Sequence, residues 1–111
     1  MTGAAGLDQT LTALADPNRR RAIDLLRERP RRAGELAAEL TVSPSVMSRH
    51  LKVLRDSGLV EESHPECDAR VRIYAIKSGA TADLKAWLQA TEQGWADQLT
   101  ALKRHPERAG R

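Results

Sequence analysis

The feature that most constrains the fold is a helix over residues 44–57 whose two ends are both marked by their flanking residues. Ser43 is a good N-cap and Pro44 a good first helical residue. Gly58 has the conformational freedom that the end of a helix requires. The assignment of the neighbouring helices and strands therefore starts from this helix.

A shorter helix is predicted over residues 33–40, and only residues 41–43 separate it from the helix at 44–57. Two helices joined by three turn residues are typical of a helix-turn-helix, whose second helix lies in the major groove of DNA. Turn spacing alone is a weak signal, so the side chains of the second helix decide between this interpretation and a simple helix pair.

At about 100° per residue, the apolar and polar side chains of the second helix fall on opposite sides. The apolar side holds Val46, Met47, Leu51, Val53 and Leu54. The polar side holds Ser45, Ser48, Arg49, Lys52 and Asp56. Short hydrogen-bonding side chains beside an arginine suit the reading of base edges, because arginine can bind guanine O6 and N7 together. We predict that DNA is contacted by Ser43, Ser45, Ser48, Arg49 and Lys52. The alternative is an amphipathic helix with a solvated polar face.

His50 lies toward the inner side of the same helix. This position favours a half-buried histidine that is hydrogen-bonded at the edge of the domain. The alternative is a contact with a DNA phosphate, so His50 also belongs to the candidate DNA-binding set.

The rest of the chain alternates predicted helices with one predicted hairpin. The helices are expected at residues 7–15, 17–29 and 81–105, and the strands at 59–63 and 71–76. The predicted fold is mainly α with a small β-hairpin, in the order α-α-α-α-β-β-α. This is the order of a winged helix-turn-helix with an added C-terminal helix.

Basic residues are concentrated near the helix pair. Residues 17–32 contain seven arginines against Asp24 and Glu28, a net charge of +5. Arginine suits bidentate phosphate contacts, so we expect residues 19–21 to contact the DNA backbone mainly. The alternative is a solvated charged face.

Arg70 and Arg72 are two residues apart in the predicted hairpin, which places them on one face of a strand. From there they would reach a flanking minor groove or a phosphate. Solvated charges that protect an exposed strand edge are the alternative.

The chain of 111 residues is short enough for one domain, 1–111, and its three aromatic residues predict a thin core. A second subunit commonly completes such a core, so we expect a homodimer. The N- and C-terminal helices carry the apolar stripes that would form it: Leu7, Leu11, Leu84, Trp87, Leu88, Thr91, Trp95, Leu99 and Leu102. A pocket for a small apolar effector is the alternative role of Trp87 and Trp95.

Neither a membrane span nor a signal peptide is recognisable, so a cytoplasmic protein without a membrane partner is expected. The single cysteine, Cys67, excludes a disulfide framework within one chain. No Ser/His/Asp set, phosphate-binding glycine loop or paired carboxylates can be recognised, so we expect neither an enzyme nor a cofactor. The remaining rival is a winged-helix module that binds an acidic protein partner.

Three stretches of sequence together resemble the ArsR/SmtB family of bacterial transcriptional regulators. They are Leu-Ala-Asp-Pro-Asn-Arg-Arg-Arg at 14–21, Gly-Glu-Leu-Ala at 34–37, and the segment 43–60. The resemblance covers about residues 8–77. It implies a homodimeric winged helix-turn-helix that binds double-stranded DNA at a pseudo-palindromic promoter site, usually as a repressor released by a ligand.

The metal sites of that family are not reproduced in this sequence. Residues 34–40 lack the cysteines of many metal-sensing relatives, and the C-terminal helix lacks the expected histidine pair. His64 and Cys67, with His105 elsewhere, are the candidate ligands that remain, and two residues in a turn make an incomplete site. A bare thiol is the favoured interpretation of Cys67, while a small-molecule or metal effector stays open.

Overall fold

The structure, a computed structural model, describes residues 3–64 and 70–104. The chain divides after Thr81 into two units. The described elements of the first unit are α1 (Gly3–Leu14), α2 (Pro17–Glu28), β1 (Arg31–Arg32), α3 (Ala33–Leu40), α4 (Pro44–Asp56), β2 (Val60–Ser63) and β3 (Ile73–Ile76). The described part of the second unit is one helix, α5 (Ala82–Arg104). The predicted winged helix-turn-helix is confirmed, and the assignment of 1–111 to one domain stays a prediction.

Among the residues that the structure describes, the sheet has three strands rather than the two of the predicted hairpin. It is antiparallel in the order β1-β3-β2. The first strand pairs Arg31 with Tyr74 and Arg32 with Ile73. Two consecutive arginines carry no alternation of apolar and polar residues, so nothing local marks them as a strand. The pairing depends on β3, which lies about 40 residues later in the sequence.

Arg31 is buried in spite of its charge, with 8% of its surface exposed. Its Nη2 donates to Glu28 Oε1 at 2.8 Å, and its Nε donates to the carbonyl oxygen of Leu25 at 3.2 Å. A buried guanidinium requires such acceptors, since an unpaired charge in the interior is costly. Arg31 therefore ties the last turn of α2 to the edge of the sheet.

The helix pair α3 and α4 forms the centre of the core. The turn between them is made by Thr41 in the left-handed conformation, with φ of 55°, and by the Val42 amide, which donates to the Ala37 carbonyl at 3.0 Å. The largest fully buried side chains belong mainly to these two helices: Leu36, Met47, Leu51, Leu54 and Val60. The predicted inner face of α4 is confirmed for Met47, Leu51 and Leu54, whereas Val46 is half-buried and Val53 is 36% exposed.

The end of α4 is closed by two backbone hydrogen bonds around Gly58. The Gly58 amide donates to the Arg55 carbonyl, and the Leu59 amide donates to the Leu54 carbonyl, both at 3.0 Å. This is a Schellman ending, which requires a left-handed residue, and Gly58 supplies it with φ of 79°. Leu54 and Leu59 are both buried, so the ending also adds an apolar contact to the core.

The first helix packs against the core through small side chains. Thr10 and Ala13 are its buried side chains, with 4% and 0% exposed, whereas Leu11 is 42% exposed. Leu7 and Leu14 are only half-buried. Small side chains allow α1 to approach the core closely, and part of its leucine stripe stays uncovered.

The helix α5 is long and amphipathic, and none of its described residues is buried. Leu84 and Thr91 are half-buried. Its large exposed side chains are Trp87, Leu88, Trp95, Leu99 and Leu102. No helix among residues 3–64 and 70–104 is long and apolar enough to cross a membrane.

Candidate nucleic-acid interface

The outward face of α4 carries the polar side chains that the sequence predicts. Ser45, Ser48, Arg49 and Lys52 are all exposed. They lie within the first nine residues of a helix that begins at Pro44. The N-terminal half of such a helix is the part that enters a DNA groove in helix-turn-helix proteins.

Arg49 differs from the other cations of α4 in having no internal counter-charge. Lys52 Nζ lies 2.9 Å from Asp56 Oδ2, and Arg55 Nη1 lies 3.0 Å from Glu62 Oε2. Within the described part of the chain, the guanidinium of Arg49 makes no hydrogen bond or ion pair. Its five donors are therefore available to an external acceptor.

The N-terminus of α4 is capped by Ser43, as predicted. Ser43 Oγ accepts from the Val46 amide at 3.2 Å and lies 3.3 Å from Ser45 Oγ. The cap uses the oxygen of Ser43 as an acceptor, so its hydroxyl proton remains available as a donor. Both serine hydroxyls are exposed at the leading end of the helix.

His50 is half-buried, as its place on the helical wheel predicts. Its Nδ1 lies 3.3 Å from Arg19 Nη1. A guanidinium can only donate, so the Nδ1 lone pair is the acceptor and the proton of the neutral ring sits on Nε2. Arg19 therefore fixes the tautomer of His50, and Nε2–H is the donor that His50 can offer elsewhere.

Arg19 has partners within the protein, and the contact of residues 19–21 with DNA phosphates stays a prediction. Arg19 Nε donates to the Ala13 carbonyl at 2.6 Å, and its Nη2 donates to the Thr12 carbonyl at 3.1 Å. Arg20 similarly donates to the Leu14 carbonyl at 2.7 Å. The last carbonyls of a helix have no partner within it, so these two arginines satisfy the end of α1.

Arg70 and Arg72 precede β3 rather than lying on one face of a strand, which corrects their predicted position. Both are exposed, and β3 begins only at Ile73. Arg72 Nη1 lies 3.9 Å from Glu62 Oε2, at the outer limit of an ion pair. Arg70 and Arg72 lie in the segment that leads into β3, which belongs to the region called the wing in this fold.

Glu62 is a structural residue that the sequence analysis missed. The Tyr74 hydroxyl donates to its Oε2 at 2.7 Å, and Arg55 Nη1 lies 3.0 Å from the same oxygen. One carboxylate of β2 thus joins α4, β3 and, through Arg72, the wing. No local signal identifies it, because the partners lie 7 to 12 residues away in the sequence.

These contacts shift two pKa values in opposite directions. The hydrogen bond from Tyr74 lowers the pKa of Glu62, with the positive charges of Arg72 and Arg55 adding to it against the opposing effect of burial. Burial raises the pKa of Tyr74, and its hydrogen bond to Glu62 raises it further. The pair is therefore a phenol that donates to a carboxylate at neutral pH.

No three His, Cys, Asp or Glu side chains among residues 3–64 and 70–104 come together as a metal-binding group. His64 Nδ1 is 3.0 Å from the Val71 carbonyl oxygen, to which it donates across the hairpin. Cys67 and His105 lie outside the described residues. Metal binding at these three residues stays an open hypothesis.

Comparison with known proteins places these features in a family. The model of the bacterial regulatory protein arsR family matches residues 16–62. The chain is 35% identical over 96 residues to the HTH-type transcriptional regulator Rv2034 of Mycobacterium tuberculosis, covering 84% of this chain and 81% of the relative. It is 29% identical over 82 residues to the transcriptional repressor SdpR of Bacillus subtilis, covering 74% and 88%.

A solved structure gives the same assignment. The ArsR-like transcriptional regulator from Rhodococcus sp. RHA1 matches with a TM-score of 0.80 at 26% identity, over 94% of this chain and 93% of that one. The matched family segment, residues 16–62, spans α2 to β2 and so includes the whole helix-turn-helix. The chain belongs to the ArsR family of transcriptional regulators.

Proposed function

We propose that the protein is a sequence-specific DNA-binding repressor that acts as a homodimer at an inverted-repeat promoter site. The observation that carries this proposal is the outward face of α4, where Arg49 stands between Ser45 and Lys52 without an internal counter-charge. An exposed arginine without an ion pair can bind a base edge without first giving up an internal partner.

We expect the exposed side chains of α4 to make two kinds of contact with DNA, one with bases and one with phosphates. Arg49 would read a base, with Ser45 and Ser48 beside it on the same face. Lys52 is held by Asp56, and its single charged tip would contact a phosphate rather than a base. Ser43 and the Nε2–H of His50 would add donors to the DNA backbone. Arg70 and Arg72 would contact the flanking DNA from the wing.

Two observations support a homodimer. The second unit is a helix with exposed Trp87, Trp95 and Leu99, and α1 exposes Leu11. Apolar side chains of this size are rarely left in water by a soluble protein. We propose that α5 and α1 meet the same helices of a second copy, which would set two α4 helices about 34 Å apart on inverted half-sites.

Repression is proposed because the similar Bacillus subtilis protein SdpR is named a transcriptional repressor. Release by an effector, either a small molecule or a metal, is consistent with the resemblance, and its chemistry is left open by the described residues. The regulated promoter is to be found by footprinting.

Footprinting on the DNA upstream of the protein's own reading frame tests the proposal directly. We expect a protected inverted repeat, and an affinity for it at least about a thousandfold above that for random duplex DNA at the same salt concentration. The rival function is a winged-helix module that uses its arginines on an acidic protein. Equal affinity for every DNA sequence, or none at all, would favour that rival.

A further inference from the structure

Six residues from two distant parts of the sequence line one shallow groove beside the wing. The groove has a volume of about 310 Å³ and is formed by residues 32–34 and 70–72. Three of the six are arginines: Arg32, Arg70 and Arg72. We call it the wing-root groove.

The third strand of the sheet explains why these arginines meet. The pairing of β1 with β3 places Arg32 opposite Ile73, the residue that follows Arg72. Arg32 is also the N-cap of α3, so the first turn of that helix forms the other wall. If β1 were not recognised, Arg32 would be placed in a loop, and its proximity to the wing would not be apparent.

Two acidic residues near the groove, Glu35 and Glu62, accept hydrogen bonds from residues outside it. Glu35 accepts from Arg29 Nη2 at 3.1 Å and from the Arg32 amide at 3.2 Å. Glu62 accepts from Tyr74 and Arg55 and is 3.9 Å from Arg72. The guanidinium of Arg32 is exposed and has no ion pair within the ranges 3–64 and 70–104. Arg32 therefore brings to the groove a positive charge that no acidic side chain among the described residues neutralises.

We propose that the wing-root groove binds one phosphodiester of the DNA backbone, with Arg32 as a contact shared between the helix-turn-helix and the wing. The inference rests on the proposed DNA-binding function and adds a residue and a site to it. Guanidinium groups match phosphate oxygens with paired donors, and Arg32, with Arg72 lining the same groove, suits a phosphate better than a base edge. Such a contact positions the protein on DNA without reading its sequence.

The first test removes one cation at a time. Arg32→Ala should weaken binding by roughly 3- to 30-fold on operator and random duplex DNA alike, and should lower the salt slope by about 1 for each protomer. Arg27→Ala is the matched control, because Arg27 is an exposed arginine that pairs with Asp24 and does not line the groove. The control removes the same charge and should change neither quantity appreciably.

The second test adds a negative charge to the groove without removing an arginine. A Cβ at Gly34 would meet no atom within 4 Å, so a side chain fits there. Gly34→Glu puts a carboxylate into the first turn of α3, where acidic residues are favoured, so the protein should fold at least as well as before. Binding to both DNAs should still fall at least about tenfold. Ala38→Glu, at an exposed position of the same helix, is the control.

The outcomes separate this site from the function on which it rests. If wild-type protein prefers its operator while Arg32→Ala and Gly34→Glu leave affinity and salt slope unchanged, the groove proposal is wrong and the DNA-binding proposal stands. If wild-type protein binds no DNA, both are wrong. If only operator binding falls and random duplex binding does not, Arg32 reads sequence and the phosphate assignment is overturned.

A titration with inorganic phosphate, against chloride at constant ionic strength, separates the DNA backbone from a free anion. We expect no saturable change in the NMR signals of the arginine Nε–H groups. A saturable change that Arg32→Ala abolishes would show a site for a small anion, and would overturn the assignment to DNA.

Discussion

Arg19 Nη1 lies 3.3 Å from His50 Nδ1, and this contact joins the junction of α1 and α2 to the middle of α4. The same guanidinium also donates to the carbonyls of Ala13 and Thr12. One side chain therefore holds three helices, one of which carries the proposed DNA-reading residues. Arg19 therefore helps to hold α4 in place, although the run of arginines in which it lies predicts a contact with DNA.

Replacing Arg19 should cost stability rather than only DNA affinity. Arg19→Ala removes donors from two helix-end carbonyls and from His50, and we expect the free energy of unfolding to fall by about 1.5 to 3 kcal/mol. Arg21→Ala is the control, because Arg21 is exposed and its side chain forms only one hydrogen bond within the described residues, to Asn18 at 3.4 Å; the substitution should cost less than about 0.5 kcal/mol. Urea denaturation measures both, and equal costs would contradict the structural role of Arg19.

Arg49 and Lys52 should differ in what their removal does to specificity. Arg49→Ala should cost about 1 to 3 kcal/mol of binding free energy on the operator and less on random DNA, because a base contact is lost. Lys52→Ala should weaken binding to both DNAs similarly. Fluorescence anisotropy with both duplexes measures the difference, and equal losses for Arg49→Ala on the two DNAs would remove its proposed role.

The Tyr74 and Glu62 pair should make part of the stability depend on pH. The pKa of Glu62 is lowered in the folded protein, so its contribution is present above the ordinary glutamate pKa of about 4.3 and is lost as pH falls through the lower folded value. Tyr74→Phe should cost about 1 to 3 kcal/mol at pH 7. Denaturation at a series of pH values should show this cost shrinking in acid, and a constant cost would exclude the linkage.

The exposed tryptophan of α5 should control assembly. Trp95 is 69% exposed, and Trp95→Glu should shift the protein toward monomers with much weaker operator binding. Gln89→Glu adds the same charge at another exposed position of the helix and should leave the dimer intact. Sedimentation measures both. Truncation after Ala80 should likewise give monomers, and a truncated protein that still sediments as a dimer would refute the assignment.

Metal ions should have little effect on DNA binding. The family's cysteine site is absent from residues 34–40, so we expect stoichiometric zinc or nickel to change operator affinity by less than about threefold. Cys67→Ser should retain operator affinity under reducing conditions. A submicromolar site found by calorimetry, with metal-dependent operator binding, would contradict this and direct attention to His64, Cys67 and His105.

The helix-turn-helix could be predicted because its signals are local. Asp16 and Ser43 cap their helices through amides two or three residues away, and Gly58 ends α4 through its own conformation. The spacing of Met47 and Leu51 marks the inner face without reference to any other element. Each of these features is fixed within one turn of helix.

The features that were missed all depend on distant parts of the chain. Arg31 and Arg32 become a strand only because β3 pairs with them. Arg19 finds His50 across 31 residues, and Glu62 finds Tyr74 across 12. Such partners follow from tertiary packing, which periodicity does not report.

The Schellman ending at Gly58 has a consequence for how this protein can change its target. Val60 already belongs to β2, so only three residues separate the last residue of α4 from the first strand of the wing, and the Arg55 to Glu62 ion pair spans the junction. The short backbone connection thus fixes the distance between α4 and the wing. We therefore expect variants that recognise other sequences to arise by exchange of surface side chains, because a longer connection would break the hydrogen bonds at Gly58 and Leu59.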